Sequence, residues 1–117
     1  MAALHHLALR TPDVARLASF YRAAFGLAVA RESERSVWLR VGETTRMLER
    51  AEASEPGVPS GSLELVAFHW GGTLEAARAH LQALGITPEA ETSFTLYFRD
   101  PDGRRVALSN YAFESAR

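Results

Sequence analysis

Val37-Trp38-Leu39-Arg40 is answered by Leu96-Tyr97-Phe98-Arg99, with the aromatic residue and the arginine at the same places in each block. The offset of 59 residues extends beyond this pair, since it also carries Leu7-Ala8-Leu9 onto Val66-Ala67-Phe68 and Phe25-Gly26-Leu27 onto Leu84-Gly85-Ile86. Three blocks matched at one offset mark an internal duplication. Two copies of one supersecondary unit are two half-structures, each with a face to bury.

The content of each copy follows from periodicity. In residues 4–10, Leu7 and Leu9 alternate with His6, Ala8 and Arg10, which is a strand pattern. Thr11-Pro12-Asp13 breaks it, and Leu17, Phe20, Tyr21, Ala24 and Phe25 then recur at helical spacing before Gly26, which predicts a helix over 14–25. Short strands are expected at 27–31, 36–41 and 44–48, separated by Glu32-Ser33-Glu34-Arg35 and by Gly42. The order is βαβββ. The polar, breaker-rich stretch 53–61 is a connector, after which 63–70 reads as strand, 74–84 as helix, and 95–99 and 105–110 as strands. Module one is therefore assigned to 1–52 and module two to 62–117, within a single α+β domain.

Composition narrows the function. Thirteen basic and fourteen acidic side chains leave a net charge of -1, so no broad positive field exists for nucleic acid. No cysteine is present, which excludes disulfides, thiolate metal sites and cysteine nucleophiles. No apolar run approaches the length of a membrane span, and residues 1–9 lack the pattern of a secretion signal, so a cytoplasmic location is expected. Neither a phosphate-binding Gly-rich loop nor a Gly-x-Ser-x-Gly elbow occurs.

His6-Leu7-Ala8-Leu9-Arg10-Thr11-Pro12-Asp13, Ser19-Phe20-Tyr21-Arg22 with Phe25-Gly26-Leu27, and Tyr97-Phe98-Arg99-Asp100-Pro101-Asp102-Gly103 together resemble motifs of the glyoxalase/bleomycin-resistance/extradiol dioxygenase (vicinal oxygen chelate) superfamily. The resemblance covers nearly the whole chain. It implies two βαβββ modules forming open, curved sheets, a cavity that often holds a divalent metal, and a homodimer.

The resemblance also implies where metal ligands belong, on the first and last strands of each module. On the first strand of module one the position falls at His6, and at the same offset in module two at Leu65, which has no lone pair. On the last strand of module two it falls in Val106-Ala107-Leu108, where Ala107 cannot ligate. On the last strand of module one it lies between Arg46 and Leu48, with Glu49 the nearest carboxylate. Since a catalytic divalent centre usually takes three protein ligands, no metal cofactor is expected. If one binds, His6 and Glu49 are the candidates. A one-residue slip, which exchanges the faces of a strand, would instead bring in His5, Glu64 or His69.

Alternation places Leu7, Leu9, Val37, Leu39, Val66, Phe68, Leu96, Phe98, Val106 and Leu108 toward the helices. The opposite face then carries the candidate ligand pocket: His6, Arg10, Trp38, Arg40, Leu65, His69, Tyr97, Arg99, Ala107 and Ser109, with Ala8 and Ala67 as small floors. The arginines admit a second role as solvated strand ends, and His6 as a hydrogen-bonded structural residue. In ideal extended backbone His5 and His6 point to opposite faces and cannot chelate together. His80 is expected at the surface, and Asp100 and Asp102 as turn formers. A pairing of Trp38 with Arg40, and of Tyr97 with Arg99, would suit a planar anion or a conjugated carbonyl compound. The expected function is a small-molecule-binding protein of the bleomycin-resistance type without a complete metal site. The alternative is an atypical superfamily lyase, isomerase or dioxygenase using His6 with Glu49 or His69.

Overall fold

The computed structural model describes residues 1–113, so the last four residues of module two lie outside the described residues. The chain divides into two compact units, residues 1–58 and 59–117, with the division inside the expected connector.

Unit 1 contains β1 (His6–Thr11), α1 (Val14–Phe25), β2 (Val29–Glu32), β3 (Ser36–Val41) and β4 (Thr44–Arg50). Its four strands form one open sheet in the order β1-β4-β3-β2, in which β1 and β4 run parallel and the other pairs antiparallel. The helix is punctuated as its sequence demands. The Asp13 carboxylate accepts from the Arg16 N–H at 3.0 Å, and Gly26, at φ 67°, closes the last turn with its N–H on the Arg22 carbonyl. The face of α1 carrying Leu17, Tyr21 and Ala24 is fully buried, as are Leu39 and Leu48 of the sheet beneath it. Each such leucine contributes about 2 kcal/mol by leaving water.

Unit 2 repeats the plan with β5 (Leu65–His69), α2 (Leu74–Ala83), β6 (Ala90–Glu91), β7 (Thr95–Arg99) and β8 (Arg105–Ser109), in sheet order β5-β8-β7-β6. Thr73 caps α2 by accepting from the Ala76 N–H at 3.1 Å. Ala77 and Leu81 of the helix are buried, together with Leu96, Phe98, Val106 and Leu108 of the sheet. The two-residue β6, absent from the sequence reading, is the counterpart of β2, since an offset of 59 carries Arg31-Glu32 onto Ala90-Glu91. Two residues are too few for alternation to register.

The expected phase of alternation is seen in both units, with two departures: Leu7, assigned to the helix side, is exposed, and Ala107, assigned to the open face, is fully buried. Leu39, Leu48, Leu96, Phe98, Val106 and Leu108 are buried, whereas Trp38 and Tyr97 are half-buried and Arg40 is exposed. Arg46 was not foreseen in this layer. It lies directly across from Leu39 and Leu7, is 2% exposed, donates to the Tyr21 hydroxyl at 3.2 Å and sits 5.1 Å from the Tyr21 ring centroid.

Candidate functional site

Strand pairing arranges the face away from α1 in rows. His6 lies beside Thr45 and then Arg40; Ala8 beside Met47, Trp38 and, on β2, Arg31; Arg10 beside Glu49 and Ser36. The first two rows meet through the His6 and Trp38 rings, whose centroids are 5.4 Å apart at 56°. The third row is an ion cluster. Arg10 forms a short ion pair with Glu49 and grips Glu55 through Nε at 3.0 Å and Nη2 at 2.5 Å. The guanidinium, helped by the Glu52 N–H, holds the Glu55 carboxyl down to about 2. Arg10 is thereby engaged within its own unit.

One expectation about this face is corrected. His5 precedes β1, so strand alternation does not govern it, and its Nδ1 lies 2.9 Å from the Nδ1 of His6. One imidazole donates to the other, and the two rings meet edge-on at 5.1 Å.

In unit 2 the matching rows are Leu65 with Arg105 and Arg99; Ala67 with Ala107, Tyr97 and Ala90; and His69 with Ser109 and Thr95. Arg99 is locked. It forks onto Glu89 at 2.7 and 2.9 Å and donates to the Ser62 and Gly103 carbonyls at 2.6 and 3.2 Å. The cation beside Tyr97 is Arg105, 4.3 Å from the ring centroid, and it donates to the same Glu89 carboxylate at 3.1 Å. Arg99 first, and Arg105 after it, depress the Glu89 carboxyl below its ordinary value. Arg105 is a neighbour of Tyr97 that the sequence reading missed; its place opposite Leu65 follows from the pairing of β5 with β8. Ser109 is hydrogen-bonded to Thr95 at 2.9 Å, and His69 and Leu65 are exposed.

Asp100 and Asp102 behave as turn formers. The Asp100 carboxylate accepts from the Asp102 and Arg104 N–H groups at 2.9 and 3.0 Å, and Arg104 spans both acids. His80 departs from its expected surface role, being half-buried and stacked on Trp70 at 5.4 Å.

A family model described as the Glyoxalase/Bleomycin resistance protein/Dioxygenase superfamily matches residues 3–108. The chain belongs to this superfamily. Solved structures of similar fold include the fosfomycin resistance protein FosX from Mesorhizobium loti, at TM-score 0.79 and 16% identity, covering 96% of this chain and 94% of that one. A protein described as a "possible Glyoxalase" from Bacillus cereus has TM-score 0.77 and 19% identity over 93% of this chain and 99% of its own. The lactoylglutathione lyase from Agrobacterium tumefaciens has TM-score 0.70 and 23% identity over 93% of each chain. No curated protein matches the sequence.

Superfamily membership makes the donor chemistry of the metal positions testable. Met47, across from Ala8, is the counterpart of Ala107, across from Ala67, so the last-strand position of unit 1 is Met47, and Arg46 belongs to the helix face. The four positions therefore read His6, Met47, Leu65 and Ala107. An imidazole, a thioether and two alkyl groups do not fit a hard divalent ion. Glu49 does not repair the set, because it pairs with Arg10, four residues or about 13 Å along β1 from His6. No group of three histidine or acidic side chains able to hold a metal occurs among the described residues.

Proposed function

We propose that this protein is a cytoplasmic small-molecule-binding member of the superfamily that works without a metal centre. The observation that carries the reading is the row occupied by Met47, Ala8 and Trp38, where the expected hard ligand is replaced by a thioether beside an accessible indole. Such a face binds by stacking and hydrogen bonding and has no Lewis acid to offer. Among the described residues no helix is long and apolar enough to cross a membrane. A thermal-shift panel of small molecules tests the reading, since a ligand of the native state raises apparent stability by mass action. Failure of a chemically mixed panel to raise the unfolding temperature overturns it.

We further propose a homodimer. The open sheets leave β1, β2, β5 and β6 as edge strands whose backbone groups a second chain can satisfy. A light-scattering mass of one 12.9 kDa chain at micromolar concentration would exclude this.

A second reading, metal-free acid–base catalysis, is favoured by one contact. In the tautomer in which His6 Nδ1 donates to His5 Nδ1, the His6 Nε2 is left to accept a substrate proton. Solvent deuterium entering the α-position of a bound carbonyl compound, with loss of that exchange in His6→Asn, is its expected signature.

A further inference from the structure

The two units carry the same scaffold but pair their arginines differently on the face away from the helix. In unit 2 the aromatic position is closed from within. Arg105 covers Tyr97, and it and Arg99 both pair with the single Glu89 carboxylate. The β6 position facing Tyr97 is Ala90, which brings no charge.

In unit 1 the corresponding indole is flanked by cations that nothing neutralises. Arg31 lies directly across from Trp38 on β2, and Arg40 is two residues along β3, about 7 Å away on the same face. Both arginines are exposed, and neither guanidinium makes a hydrogen bond or ion pair among the described residues. The Thr45 hydroxyl stands beside Arg40, and the His6 ring bounds the indole on the β1 side. Glu49, the carboxylate that β4 adds to this face, sits at the far end and is held by Arg10.

An indole between two unneutralised guanidiniums selects for two properties together, a flat ring and a negative charge. The ring stacks on Trp38, and the anion takes the paired N–H donors that a guanidinium presents. We infer that the first sheet, and not its repeat, seats a planar aromatic carboxylate, with its ring on Trp38 and its carboxylate at Arg40 and Arg31. This inference rests on the small-molecule-binding reading and specifies its ligand class.

Three probes that share a ring and differ in charge test it: 4-nitrobenzoate, 4-nitrobenzamide and protonated 4-nitrobenzylamine, with inorganic phosphate as a competitor lacking the ring. Calorimetry is expected to show 4-nitrobenzoate binding at least about tenfold more tightly than the amide, with no binding of the ammonium compound or competition by equimolar phosphate. Arg40→Met should weaken binding by about 10- to 100-fold, the scale of a lost hydrogen bond to a charged group. Arg31→Met should weaken it severalfold, and Tyr97→Ala should leave it unchanged. Because Trp70 also emits, quenching by 4-nitrobenzoate must disappear in Trp38→Phe. Thermal unfolding of the arginine variants close to that of wild type excludes misfolding, as both side chains are exposed.

Equal binding of acid and amide, wild-type affinity in Arg40→Met, competition by phosphate alone, or quenching that survives Trp38→Phe each overturns the inference. So does failure of 4-nitrobenzoate to bind. In that event the wider reading stands if another compound of the mixed panel still raises the unfolding temperature, and falls with the inference if none does.

Discussion

Arg46 shows how much one strand position can conceal. Its charge suggests solvent, yet it lies in the layer between α1 and the sheet, with the Tyr21 hydroxyl and ring as neighbours. A buried guanidinium is costly unless polar partners receive it. Tyr21→Phe, which removes an acceptor and keeps the ring, is expected to lower unfolding stability by about 1–2 kcal/mol in urea titrations. Asp100 is the comparable residue in unit 2. Its side chain is fully buried and accepts two backbone N–H groups, so Asp100→Ala should cost about 1–3 kcal/mol in the same measurement. The turn role of Asp100 was readable from Asp-Pro-Asp-Gly, because that chemistry is local. The burial of Arg46 was not, because it depends on α1 lying over β4.

At the scale of elements, the ends of α1 and the anchoring of the connector make separate claims. Gly26 holds φ 67° with nothing within 4 Å of where a Cβ would stand, so Gly26→Ala is penalised only through the backbone. The expected loss is about 1–2 kcal/mol in urea denaturation, with no change in ligand binding. The connector is tied to β1 by the grip of Arg10 on Glu55, and β7 and β8 are tied to the segment before β6 by Glu89. Glu55 and Glu89 both have folded pKa values below their ordinary 4.5, so the contribution of each is complete above about pH 4.5 and is lost as pH falls through its folded value, which for Glu55 is about 2. Stability followed by urea denaturation should decline across that acid window, and Glu55→Gln should flatten part of the decline. Added salt should weaken both ties by screening. The Gly26 end of α1 and the extents of β3 and β7 were legible in the sequence. The partners of Arg10 and Arg99 were not, because Glu55 and Glu89 lie outside the strands and obey no periodicity.

At the scale of the whole molecule, the donor set of the superfamily's metal positions makes a compositional prediction. Protein purified without chelator should carry no stoichiometric Fe, Mn, Ni, Zn or Co by elemental analysis, and about one ion per chain would contradict the reading. The duplication, the βαβββ order, the face assignment and superfamily membership were all determined by the sequence alone, since they depend on periodicity and on repeated local motifs that survive without knowledge of neighbours. His6, Leu65 and Ala107 could likewise be judged as donors from their side chains alone. Pairing between strands had to decide the rest. It identified Met47 as the fourth position, moved Glu49 from His6 to Arg10, and set Arg105 over Tyr97 while leaving Arg31 and Arg40 beside Trp38. The physical reason is that the residue across a strand pair is fixed by hydrogen-bond register between segments distant in sequence, and a one-residue difference in one turn changes every partner beyond it.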